Sequence, residues 1–198
     1  MSQIPMYSTV FYNICEKIDI LEMNWDIRMS LVQNLLLKKF TTLFLQDNFI
    51  YIINMIYWFT GQPAAGKTTV VKKLITHFGE NQTFIIDGDD LRDIFQNKDY
   101  SETGRRKNIE RAQDLALFLH KKGYTVLVSL VSPYKDQRDS FKNSNDVVEI
   151  YVHTTEDRGR NSYHVVDYEP PTENFIDLET TNKTEEESYQ EILKKITL

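Results

Sequence analysis

The chain has 198 residues, enough for one well-buried α/β domain, and carries a net charge of −6 at pH 7 with a pI near 5.3. This acidic balance argues against partners held by bulk positive charge, so neither nucleic acid nor an anionic membrane is expected as a partner. Cys15 is the single cysteine, which excludes an intrachain disulfide and a cysteine zinc cluster and predicts a reducing, cytoplasmic setting.

The first 54 residues differ in composition from the rest. All five methionines lie at or before Met55, whereas all seven glycines and all four histidines lie after it. One interpretation is a helical extension, since Leu31, Leu35 and Leu36 could form an apolar helix face. In the other, which composition favours slightly, the functional protein begins at Met55 and residues 1–54 are dispensable or a gene-start artefact. No signal peptide is apparent, and polar residues interrupt the apolar stretch 43–59, so no membrane-spanning segment is predicted.

After Met55, apolar strands alternate with helical patterns. Strands are predicted at 55–60, 83–86, 124–131, 147–152 and 175–178, and helices at 68–78, 101–122 and 184–196. The apolar stripe of the long second helix is expected to comprise Ile109, Ala112, Leu115, Ala116 and Leu119. Ser101 is its predicted N-cap and Gly123 ends it, while Thr184 and Glu187 have the spacing of a capping box. This alternation predicts an α/β fold in three layers, a mostly parallel sheet covered by helices on both faces.

A phosphate-binding loop of the form G-x-x-x-x-G-K-[ST] follows the first strand. Its residues are Gly61, Gln62, Pro63, Ala64, Ala65, Gly66, Lys67, Thr68 and Thr69. The strand before it and the helix after it are the setting that the motif needs, because backbone N–H groups and the positive helix end can then cradle the phosphates of ATP. Lys67 is expected to reach the outer phosphates and the Thr68 hydroxyl to hold Mg²⁺. Ala64 stands where many such loops have glycine, so slight backbone strain is expected there.

Three further segments carry groups that phosphoryl transfer needs. Asp87–Arg92 follows the second strand, at the edge where open parallel sheets bind ligands. Arg105 and Asn108 share one face of the long helix, and the 132–134 segment with Arg138 follows the third strand. Phosphoryl transfer requires a metal and cations around the moving group and a carboxylate that orients and deprotonates the acceptor hydroxyl. The chain supplies each of these parts.

In this order the motifs resemble those of the adenylylsulfate kinases (APS kinases). The matching segments are Gly61–Thr69, Asp87–Arg92, Arg105–Asn108, Val131–Tyr134 and Tyr168–Pro171. The resemblance covers about residues 55–198 and implies a P-loop kinase-like fold. It also implies transfer of the ATP γ-phosphate to the ribose 3′-hydroxyl of adenylyl sulfate, which yields 3′-phosphoadenylyl sulfate, and it suggests a homodimer.

The same resemblance implies roles for individual residues. Asp87 would be the catalytic base and would organise the metal together with Thr68. The acceptor would be bound by Asp89, Arg92, Arg105, Asn108, Val131, Ser132, Pro133 and Tyr134. Ser101 matches a family serine sometimes proposed as a phosphoserine intermediate, but the role of a helix N-cap is preferred.

The chain departs from the family pattern in the lid. Residues 155–167 are shorter than the usual lid, and its lysine and adenine-stacking phenylalanine have no clear counterparts. Arg158 and Arg160 are predicted to close over the phosphates of ATP, and Tyr163 could stack on a base; a solvated hairpin is the alternative. His164 is interpreted as structural rather than catalytic.

Two other functions stay open. The short lid favours a kinase that keeps ATP and the Asp87 base but phosphorylates another nucleotide or a small alcohol. A nucleotide-binding module without catalysis would fit Ala64 and the missing lid lysine, but intact Lys67, Thr68 and Arg92 oppose it.

Overall fold

The computed structural model describes residues 54–197, and the predictions made for residues 1–53 lie outside this part of the chain. Its five strands are β1 Ile56–Thr60, β2 Thr83–Asp87, β3 Thr125–Ser129, β4 Val147–His153 and β5 Ile176–Glu179. All neighbouring pairs are parallel, in the order β2-β3-β1-β4-β5. β1 is the central strand, with β2 and β3 on one side of it and β4 and β5 on the other. The strand order therefore reverses beside β1, and at such a point open α/β sheets bind ligands at the carboxyl ends of their strands.

Helices cover both faces of the sheet. They are α1 Lys67–Phe78, α2 Gly88–Ile94, α3 Glu102–His120, α4 Lys135–Ser144 and α5 Glu185–Ile196, with 3₁₀ turns at Glu80–Gln82 and Asn161–Tyr163. Side chains of β1 alternate between two cores, as a strand buried on both faces requires. Tyr57 and Phe59 belong to one core with residues of α1 and α5, whereas Ile56 and Trp58 belong to the other with residues of α3. The predicted three-layer α/β fold is confirmed.

The predicted helix caps are present. The Ser101 side chain accepts a hydrogen bond from the N–H of Gly104 at 3.2 Å, which supports its interpretation as an N-cap. Thr184 and Glu187 form the complete capping box at the start of α5. The predicted apolar stripe of α3 is wrong in one position, because Leu115 is 37% exposed while Ile109, Ala112 and Ala116 face the core.

Sequence reasoning missed helix α4. Its inward position is occupied by Arg138, which is 3% exposed, so the helix lacks an apolar stripe with a helical period. The guanidinium donates to the Glu149 carboxylate on β4 at 2.7 Å, and Lys142 reaches the same carboxylate at 2.5 Å. Besides Phe141, which packs against Trp58, a buried ion pair therefore holds this helix to the sheet.

None of the helices between residues 54 and 197 has the length and apolar character needed to cross a membrane.

Candidate active site

The phosphate-binding loop connects the central strand to α1. Gly61 has φ of 147°, and a Cβ there would lie 2.0 Å from the carbonyl oxygen of Val152, so this position requires glycine. Ala64 has φ of 61°, in the left-handed region, at a cost of roughly 1 kcal/mol for a residue with a side chain. The loop thus has the expected strained turn at Ala64, and Gly66 with φ of 100° precedes the first residue of α1.

Lys67 points back into this loop. Its Nζ donates to the carbonyl oxygens of Gly61 and Gln62, both at 2.9 Å, and the residue is 8% exposed. Burial lowers the pKa of Lys67 from 10.5 to about 8, and the nearby Asp87 and Asp89 carboxylates oppose part of that shift. The lysine is therefore a desolvated cation held at the place where phosphates would bind.

Three side-chain oxygens meet at the carboxyl edge of the sheet. The Thr68 hydroxyl donates to Asp87 Oδ2 at 2.9 Å and lies 3.0 Å from the Ser129 hydroxyl. The other Asp87 oxygen accepts from the Asp89 N–H, which caps α2. Threonine and aspartate oxygens are hard ligands of the kind that Mg²⁺ prefers, so this group fits the predicted metal site. Ser129 is not among the predicted site residues. It lies at the end of β3 in register with Asp87 of β2, and this strand pairing brings it into the site.

These groups open into one cavity of about 590 Å³. The predicted site residues that line it are Pro63, Ala64, Lys67, Thr68, Asp87, Asp89, Arg92, Arg105, Asn108, Val131, Ser132, Pro133 and Arg160. Tyr163, which could stack on a base, lines the cavity as well. The remaining lining residues have no predicted site role: Gly88, Tyr100, Ile109, Ser129, Leu130, Ser162 and His164. Segments far apart in sequence thus surround a single space that is open to a ligand.

Two arginines and an aromatic ring line the cavity from α2, α3 and the connection between these helices. The Arg92 guanidinium lies 4.2 Å from the centre of the Tyr100 ring and donates to the carbonyl of Asp99 at 2.8 Å. Arg105 donates from Nε to the carbonyl oxygen of Tyr100, also at 2.8 Å. Burial lowers the pKa of Arg92 from its ordinary value, and the guanidinium remains a cation. This group of residues therefore presents two positive charges and an exposed aromatic ring to the cavity.

Asn108 of α3 also lines the cavity and is 4% exposed. Its Nδ2 donates to the carbonyl of Gly88 at 3.3 Å. Among the residues that the structure describes, its buried Oδ1 finds no hydrogen-bond donor. A buried amide oxygen without a partner is unfavourable, so the Asn108 side chain would gain stability from a donor that comes within its reach.

The side chains of Tyr134, Arg138 and Arg158 do not line the cavity. Tyr134, predicted to bind the acceptor, is 8% exposed and packs in the core with the Arg106 guanidinium 4.1 Å above its ring. Arg138 holds the neighbouring loop by donating to the carbonyl oxygens of Ser132 and Glu169, both at 2.6 Å. Both side chains stabilise the wall of the cavity from behind.

Arg158 is the third. It donates to the carbonyl oxygens of Ala64 at 3.3 Å and Thr180 at 3.0 Å, and it forms an ion pair with Glu156. Arg158 is thus tied to the outside of the phosphate-binding loop, whereas Arg160 lines the cavity.

The fold and this site together define a P-loop kinase-like protein. The phosphate-binding loop follows the central strand of a parallel sheet, and a threonine–aspartate pair lies beside it. The sequence profile described as adenylylsulphate kinase matches residues 53–163. The chain belongs to the adenylylsulfate kinase family.

Relatives of established name support this assignment. The chain is 32% identical to an adenylyl-sulfate kinase of Vibrio cholerae over 108 residues, 52% of this chain and 50% of the relative. It is 35% identical to one of Pseudomonas aeruginosa over 105 residues, 50% of this chain and 54% of the relative. The chain therefore spans about half the length of these relatives.

Solved structures share the fold. The APS kinase CysC of Mycobacterium tuberculosis in complex with AMPPNP and APS has a TM-score of 0.63 and 21% identity, covering 72% of this chain and 96% of that one. A gluconokinase from Sinorhizobium meliloti has a TM-score of 0.52 and 14% identity, covering 72% of this chain and 90% of that one. Because these identities are low, the likeness establishes the architecture and does not select an acceptor.

Proposed function

We propose that this kinase transfers the γ-phosphate of ATP to the ribose 3′-hydroxyl of adenylyl sulfate. The observation that carries the proposal is the set of charged side chains that line one cavity. Lys67 of the phosphate-binding loop, the Asp87 carboxylate, and Arg92 and Arg105 of α2 and α3 all belong to its lining. Two cations from outside the phosphate-binding loop suit an acceptor that is itself anionic, as the phosphosulfate of adenylyl sulfate is.

The phosphate-binding loop would hold ATP. Backbone N–H groups at the start of α1 would donate to phosphate oxygens, and the ammonium of Lys67 would compensate the charge that spreads over the γ-phosphoryl oxygens during transfer. Thr68 and Asp87 would hold Mg²⁺, which when bound neutralises charge on the β- and γ-phosphates. From the lid side, Arg160 lines the cavity and would face the same phosphates, with Arg158 bracing the loop.

Asp87 would act as the base. Its two oxygens already accept hydrogen bonds from Thr68 and from the Asp89 N–H, and a carboxylate has further lone pairs for the acceptor hydroxyl. As the bond from the 3′-oxygen to the γ-phosphorus forms, the bond from that phosphorus to the bridging oxygen of ADP breaks, and the hydroxyl proton passes to Asp87.

The rest of the acceptor would lie against Arg92, Arg105, Tyr100 and Asn108. The guanidinium groups would bind its phosphate and sulfate oxygens, and the exposed ring of Tyr100 offers a face to its base. The free Oδ1 of Asn108 would accept from a donor on the nucleoside. Asp89, Val131, Ser132 and Pro133 also line the cavity and would complete the wall around the acceptor.

A second candidate is a kinase of another nucleotide or a small alcohol. The short lid favours it, because Tyr163 is 69% exposed at the cavity and no phenylalanine from the lid lies there. In either case the ATP half of the mechanism is the same. The homodimer, the cytoplasmic location and the division into an extension and a kinase domain at Met55 stay predictions.

The test compares acceptors in the full chain with ATP and Mg²⁺. We expect phosphate transfer to adenylyl sulfate, and adenosine 5′-phosphate, which lacks the sulfate, to react far less well. A nucleoside monophosphate or a sugar acid that outperforms adenylyl sulfate would replace the first candidate with the second. ATP binding without transfer to any acceptor would indicate the non-catalytic module.

A further inference from the structure

Residues of the connection between β4 and β5 line the cavity, but this connection has few contacts with the rest of the protein. We call residues 159–167 the strap. Each of its residues is exposed, apart from the half-buried Val165. The two residues that flank the strap are attached to the rest of the protein. Arg158 donates to the carbonyl oxygen of Ala64, and the Tyr168 hydroxyl lies 2.9 Å from the Thr60 hydroxyl. A segment that buries so little apolar surface has a low local stability of its own.

Gln62 supplies the missing attachment. Its Nε2 donates to the carbonyl oxygen of Val165 at 2.8 Å, and its Oε1 accepts from the Val165 N–H at 2.9 Å. Within the described part of the chain, the other hydrogen bonds of the strap run to neighbours in the same connection. One amide side chain of the phosphate-binding loop thus pairs with both backbone groups of a residue 103 positions away.

The same residue also contacts the phosphate-binding lysine. The backbone carbonyl of Gln62 accepts from Lys67 Nζ at 2.9 Å, while its side chain holds Val165. Gln62 therefore connects Lys67 to the strap, through its backbone carbonyl on one side and its side-chain amide on the other.

The strap carries a cation without a partner. Arg160 lines the cavity, and among the described residues its guanidinium has no hydrogen-bond acceptor or ion-pair partner, in contrast to the fully engaged Arg158. Its backbone carbonyl accepts from the N–H of Tyr163 within the 3₁₀ turn, which ends just before His164 and Val165. A fastened Val165 thereby limits where the Arg160 side chain can reach.

We infer that Gln62 is a positioning residue, which fixes the strap over the cavity and acts on phosphoryl transfer through Arg160. The kinetic part rests on the proposed function. Without the amide pair, the strap samples more conformations, and a cation that must lie at the transferring group is displaced for part of the time. ATP binding in the loop depends mainly on the backbone and Lys67, so we expect its affinity to change little.

The first measurement is hydrogen–deuterium exchange of the strap in the full chain. Gln62→Met keeps the length of the side chain and removes both hydrogen bonds, and Gln82→Met, in an exposed 3₁₀ turn, is the matched control. We expect the hydrogen-bonded amides of the strap, above all that of Val165, to exchange roughly tenfold faster in Q62M, as the loss of two hydrogen bonds implies, with no change in Q82M. Equal exchange in Q62M and wild type overturns the attachment, whatever the acceptor.

The second measurement is a double-mutant cycle with Arg160→Gln. We expect Q62M to lower kcat on the order of tenfold with the KM for ATP nearly unchanged. If Gln62 acts through Arg160, the double variant is no slower than R160Q to within about twofold. Additive losses overturn the route through Arg160. If the wild-type chain transfers nothing to adenylyl sulfate, the proposed function fails, and the exchange result alone decides whether Gln62 fastens the strap.

Discussion

Replacing Lys67 with methionine separates the effect of this buried cation on folding from its effect on the reaction. Because Lys67 is 8% exposed, its pKa of about 8 in place of 10.5 is a penalty for burying charge, worth about 3 kcal/mol at pH 7. The folded-state pKa lies below the unfolded-state value, so the unfolded chain binds more protons between these two pH values. The penalty is therefore complete below pH 8 and disappears as the pH rises through 10.5, leaving about 1 kcal/mol at pH 10.

Methionine removes this penalty and also leaves two loop carbonyls without their donor, a loss that does not depend on pH. The informative quantity is hence the change with pH in the stability difference between wild type and Lys67→Met. We expect the free energy of unfolding of wild type, relative to Lys67→Met, to rise by about 2 to 3 kcal/mol between pH 7 and pH 10, because only wild type has a lysine that titrates at this position. Denaturant unfolding of the two full chains at both pH values measures it. A difference that stays constant would refute a desolvated Lys67, and near-normal turnover of the folded variant would refute its role at the phosphates.

Three other changes test the remaining parts of the site. Asp87→Asn keeps an oxygen for the Asp89 N–H but removes the base. We therefore expect kcat to fall by roughly 10² to 10⁴-fold, while the affinity for ATP, measured by calorimetry, changes far less. Unchanged turnover would show that another residue is the base. Arg92→Ala and Arg105→Ala are expected to raise the KM for adenylyl sulfate about thirtyfold and that for ATP little, with the exposed Lys107→Ala on the same helix as control; equal changes for both substrates would contradict the acceptor site. A chain that starts at Met55 keeps all of β1 and is expected to retain activity; loss of activity on truncation would show that the upstream residues are needed.

Much of the fold and half of the site follow from local sequence. The phosphate-binding loop, the strand-end Asp87 and the Ser101 cap depend on residue type and on neighbours a few positions away, because hydrogen bonds to nearby backbone groups determine turns and helix ends. The parallel sheet follows from the alternation of strands and helices, since parallel neighbours need a crossover connection.

Tertiary structure decided the rest, where a residue's role depends on a partner distant in sequence. From the sequence alone, Arg138 is expected to be a surface charge, but in the fold it forms a buried ion pair with Glu149 of β4. Because a charged residue occupies this inward position, the sequence of α4 lacks a helical apolar period. The same ion pair directs Arg138 away from the cavity. The pairing of Gln62 with Val165 spans 103 positions and has no signal in either segment alone. Residue types and spacing determined which chemical groups this chain possesses. Packing determined which of them face the cavity, because a side chain's direction is set by the elements on either side of it and not by its own sequence neighbourhood.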